Sequence, residues 1–128
     1  MDEPHEDYLL SVEEHPAYLH ARVTGARTPG NASRFLKETY AACTRAGKAA
    51  VLLEMRLEGP ALDPSAIFSV ISRGVADGQK LRRIAYVDPF APERPGPAFA
   101  TTVAANRGVN VRLFGDLASA QAWLGSET

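Results

Sequence analysis

The chain has 128 residues, 45% of them hydrophobic and 23% charged, a make-up that suits one globular domain with one core. Its formal net charge of -1 excludes a global basic field for nucleic acid or anionic membranes. No apolar run approaches the length needed to span a bilayer, and a single cysteine, Cys43, excludes both an intramolecular disulfide and a cysteine-rich zinc site.

The opening residues, MDEPHEDYLL, lack the basic and apolar regions of a signal peptide, so a cytoplasmic location is expected. Residues 1–6 are expected to form a loose tail and residues 7–125 a single domain. In DYLLSVEEH, Tyr8, Leu10 and Val12 alternate with polar residues, as in a strand. In HPAYLHARVTG, Leu19, Ala21 and Val23 share one face and Tyr18, His20 and Arg22 the other. With Pro16 between them, the two segments read as a hairpin.

The turn-forming ARTPGNAS offers Asn31 or Ser33 as the cap of a first helix, whose stripe is Phe35, Leu36, Thr39, Tyr40 and Cys43 and whose stop is Gly47. AAVLLEMRL is nearly continuous in apolar residues, the mark of a strand covered on both faces. A second helix starts near Asp63 and carries Ile67, Phe68, Val70, Ile71 and Val75. RRIAYVD is the fourth strand, and PFAPERPGP reads as a long irregular loop before a third helix, AFATTVAANRG. VNVRLF is the last strand, and Asp116 caps a closing helix in which Leu117, Ala120 and Leu124 face the sheet. The order ββαβαβαβα predicts an α/β fold: a five-stranded mixed sheet with an antiparallel N-terminal edge strand followed by parallel β-α units.

Chemistry is sparse. GxGxxG, GxxxxGK[ST] and GxSxG are all missing. The clustered strand-end acids of a phospho-aspartate receiver are missing too. His5, His15 and His20 show no metal-site spacing and read as surface residues, so no metal and no cofactor are expected. Cys43 lies on an apolar stripe and reads as core. Lys80, Arg82 and Arg83 read as solvated cations at a helix end. Glu54, inside a strand that should be buried, needs a partner, a strand end or a pocket. With no acid–base or nucleophile constellation, the chain is not expected to be an enzyme.

The order of elements, the strand VLLEMR and the closing GVNVRLFGDLASAQAWL resemble the bacterial SpoIIAA-like family of the STAS and CRAL-TRIO fold group. The resemblance runs from about Tyr8 onward. It is carried at its end by Val111, Arg112, Leu113, Phe114, Asp116, Ala122, Trp123 and Leu124. It implies a non-enzymatic, STAS-like regulatory domain acting through a protein partner, or else a small carrier or sensor of an apolar, lipid-like ligand. STAS relatives are phosphorylated on a serine in an Asp-Ser-Ser-Gly motif at a helix start. The matching segment here is DPSA, with Ser65 at the phosphoacceptor position, Asp63 matching the aspartate, Pro64 in place of the first serine and Ala66 in place of the glycine. Asp63 also suffices as a plain helix cap, with Pro64 suited to the first helical position.

Two expectations complete the reading. The first strand, a sheet edge with the run YLL, invites a homodimer. Phe90, in the proline-rich segment, is expected to border a shallow pocket at the carboxyl end of the parallel strands, with Ser65 and Glu54 at the end of strand 3 nearby.

Overall fold

The computed structural model describes residues 8–89 and 94–126. The elements run β1 (Tyr8–Glu14), β2 (Leu19–Ala26), α1 (Pro29–Ala46), β3 (Ala50–Glu58), α2 (Pro64–Gly78), β4 (Arg83–Val87), α3 (Pro95–Ala105), β5 (Val111–Phe114) and α4 (Leu117–Leu124). The tail expected over residues 1–6, and Phe90, lie outside the described residues.

The strands form one sheet in the order β1-β2-β3-β4-β5. β1 pairs antiparallel with β2, and β2 to β5 are parallel. This is the mixed sheet that the alternation of strands and helices predicts. Each parallel crossover steps to the next strand in the same direction. With the usual right-handed crossover, such a path stacks every intervening helix on one face. Accordingly α1, α2 and α3 sit together over the face that carries Leu19, Ala21, Val51, Leu53 and Ile84. α4, which follows the last strand, covers the other face, where Ala120 and Leu124 pack on Leu52, Ala85 and Val87. With eight residues, α4 is only about 12 Å long. It packs on β3, β4 and β5, and among the described residues no helix packs on that face of β1 and β2.

The helix ends follow local chemistry. Asp63 caps α2, its Oδ1 accepting the Ala66 N–H at 2.8 Å, and Asp116 caps α4 by accepting the Ser119 N–H at 2.7 Å. Gly47 ends α1 at φ 69°, a conformation that costs glycine nothing. Two boundaries differ from the sequence expectation. The cap of α1 is Thr28, not Asn31 or Ser33, because Pro29 is well suited to the first helical position and moves the start upstream. Asn31 is instead buried, its Nδ2 donating to the Ala26 carbonyl at 3.0 Å and tying the end of β2 to the helix. Likewise α3 starts at Pro95. Pro95 and Pro97, read from the sequence as loop, occupy its first turn, where the missing N–H groups would have had no intrahelical partner.

Candidate functional site

α2 packs against α1 and α3. Between it and the sheet lies a cavity of about 150 Å³. Its roof is Ile67, Val70, Ile71 and Val75 of α2, and its floor includes Leu53, Met55, Leu57, Ile84 and Val111 of the sheet. The void has a simple cause. Six lining positions, Ala32, Ala61, Gly74, Gly96, Ala100 and Ala104, carry one side-chain carbon or none, so the space that close packing would fill stays open.

The charged groups gather at one end. Arg27, Asp88 and Arg94, at or just beyond the carboxyl ends of strands or ahead of α3, line the cavity beside the β3–α2 loop residues Ala61 and Leu62. This is the end of an open α/β sheet where ligands bind. Arg27 is held by the carbonyls of Gly59 and Leu57, which fixes its guanidinium against the loop. Two phenols also face the cavity. Burial, reinforced by Asp88 and opposed by Arg27, pushes the Tyr86 hydroxyl far above its ordinary range. Burial, with smaller contributions from Asp77 and Cys43, raises Tyr40 to about 12. Both remain protonated donors at neutral pH.

Glu54 does not border this cavity. In β3 the neighbours Leu53 and Met55 point into it, so strand alternation turns Glu54 to the opposite face. There it is 1% exposed. Arg56 Nε donates to its Oε2 at 2.6 Å, Arg22 Nε donates to its Oε1 at 3.2 Å, and His20 Nε2 lies 2.9 Å from Oε1. Burial by itself would raise the carboxyl, but hydrogen bonds from Arg56, His20 and Arg22 hold it at about 2. The charge needs partners, and two of the three come from β2, which no local pattern around Glu54 reveals.

Ser65 is exposed at the second position of α2 and is not among the residues that line the cavity, of which Ile67 is the first on that helix. Cys43 is buried in the core beside Ala42, and burial pushes its thiol to about 11. Arg83 does not wait for an anion: it donates to the Trp123 carbonyl at 2.5 Å and to Ser126. His15 and His20 are not open surface residues. Their side chains are 32% and 12% exposed, and their rings lie 6.1 Å apart across the hairpin. The residues missed by sequence reading are those of the cavity. The available signal was the run of small residues on the inner faces of α2 and α3, opposite a helix stripe otherwise typical of core.

No family model matches the chain, and no match was found among curated proteins. Among solved structures, the chain is similar to a crystal structure of an uncharacterised protein of the DUF3478 family with a SpoIIAA-like fold, from Shewanella loihica PV-4. The TM-score is 0.55, the identity 15%, and the match covers 97% of this chain and 98% of that one. The class of protein is therefore defined by its fold: a SpoIIAA-like α/β domain, as the closing strand and helix suggested. Among the described residues no helix is long and apolar enough to cross a membrane.

Proposed function

We propose that this domain is a non-enzymatic binding module whose ligand is a small apolar molecule held between α2 and the sheet. The observation that carries this reading is the mostly apolar cavity under α2, with its charged groups, Arg27, Asp88 and Arg94, at one end. Its size sets the ligand class. A dry apolar cavity of about 150 Å³ accepts a benzene-sized molecule, so a single aromatic ring or a short branched acyl group fits. Burying about 150 Å² of ring surface at about 25 cal/mol per Å² is worth roughly 4 kcal/mol, which alone gives millimolar binding. Tighter binding requires contacts with the polar end or a shift of α2. Ligand binding is favoured over a partner-protein switch at Ser65, because Asp63 is accounted for as the cap of α2 and Ser65 as an ordinary exposed residue of its first turn.

Native mass spectrometry of the protein purified from its own host, followed by melting with toluene and benzoate as probes, tests this. Expected are a small-molecule adduct or a probe-dependent rise in melting temperature, both lost in Ala100→Leu, which fills the cavity while preserving the fold. A wild type with neither adduct nor response to either probe overturns the reading.

A further inference from the structure

The uncovered end of the sheet carries a second constellation. Glu13 and His20 are directly paired across β1 and β2, and His15 lies in the hairpin turn between them. One ring nitrogen of each histidine and a carboxylate oxygen of Glu13 lie within 4.8 Å of one another. The geometry points to a divalent transition-metal site of the zinc type, with Glu13, His15 and His20 as its protein ligands.

Four observations bear on it. His15 Nε2 is buried and makes no hydrogen bond, and it faces Glu13 Oε1 at 3.4 Å. Tetrahedral zinc with bonds of about 2.1 Å places its ligand atoms about 3.4 Å apart. The His15 ring is oriented by stacking on Tyr18 at 4.7 Å and 13°, and the turn is held by the His15 backbone N–H donating to the Tyr18 carbonyl at 2.9 Å. His20 is oriented by Glu54: with Nε2 donating to that carboxylate at 2.9 Å, the ring's lone pair is at Nδ1. A carboxylate behind a ligating histidine is the usual support of such a site. An ion pair between Glu13 and a protonated His15 would account for their contact alone, but not for the convergence of His20. The nearby cations are engaged elsewhere. Arg22 and Arg56 bind Glu54, and Lys48 donates to the Pro16 carbonyl at 3.3 Å.

Three protein ligands leave one tetrahedral position for water or for a donor from another molecule. The site lies on the face opposite the cavity, on the hairpin, and is independent of the apolar-ligand reading. Bound metal would join β1 to β2 and stabilise the hairpin.

The test is calorimetric titration of the EDTA-stripped full chain with zinc chloride, with native mass spectrometry for stoichiometry. Expected are one zinc per chain, a rise in melting temperature with zinc and none with magnesium. Affinity should fall at least tenfold in Glu13→Gln and in His15→Ala. Glu13 is exposed, so its variant tests the ligand role without disturbing the fold. Glu54→Gln, which keeps all three ligands, should weaken zinc binding about 10–100-fold, while His5→Ala and Cys43→Ala should bind as wild type. No zinc binding by wild type overturns the proposal. So does undiminished affinity in both Glu13→Gln and His15→Ala, or loss of binding in His5→Ala. Unchanged affinity in Glu54→Gln overturns the supporting role of Glu54.

Discussion

His20 and Glu54, 34 residues apart in sequence, meet on neighbouring strands with Nε2 2.9 Å from Oε1. The register pairs Arg22 with Glu54, so His20 sits two residues along the same face of β2. A buried carboxylate is thereby enclosed by three nitrogen groups, two of them on half-exposed arginines. Glu54→Gln keeps the shape and removes the charge. Because the arginines can turn to solvent, the expected loss is about 1–3 kcal/mol, not the larger cost of stranding a fully buried ion. Urea unfolding of the metal-free protein measures it. The pH dependence has a definite sign. The carboxyl is held at about 2 in the folded chain against an ordinary 4.5. Its contribution is present above about pH 4.5 and disappears as pH falls through 2. Between these values the wild type should lose stability more steeply than Glu54→Gln. Parallel curves for the two proteins would rule this out.

Cys43 is 1% exposed and its thiol is pushed to about 11. At pH 8 only about one thiol in a thousand is then thiolate, and the nucleophile is the thiolate. A thiol reagent should leave the native protein unmodified over the time in which the urea-unfolded chain reacts to completion. Cys43→Ser should cost about 1–3 kcal/mol, since the hydroxyl is buried on an apolar stripe. Rapid native labelling would show that the thiol is accessible.

At the start of α2, Asp63 and Ser65 separate cleanly. Asp63→Ala removes the acceptor of the Ala66 N–H and should lower stability by about 0.5–2 kcal/mol. Ser65→Ala should leave the melt unchanged. Ser65→Asp should leave it unchanged or raise stability by about 0.3–1 kcal/mol, because acids are favoured in the first helical turn. Neither Ser65 variant is expected to change what the protein binds. Thermal melts of the three variants, with a pull-down from host lysate, read both effects. A well-folded Ser65→Asp protein that loses a partner retained by wild type would establish the switch.

The element order, the helix stops and the mixed sheet were legible in the chain alone, because they are written in short-range terms. The stripe from Phe35 to Cys43, the glycine at 47, and the aspartates at 63 and 116 each act within one or two helical turns. Even the misplaced start of α1 was a local contest, between Thr28–Pro29 and Asn31. The sites were decided by distances between segments. The stripe of α2 is the same sequence pattern whether it rests on strands or roofs a void, and only the small residues of α1, α2, α3 and the β3–α2 loop, brought together by packing, leave the space open. Glu54 was visible as a charge in need of a partner. That its partners are His20 and Arg22, on the face away from the cavity, follows from the register of β2 on β3. His15 and His20 carry no metal-site spacing along the chain. The hairpin folds them against Glu13, because antiparallel register makes neighbours of residues that sequence distance keeps apart.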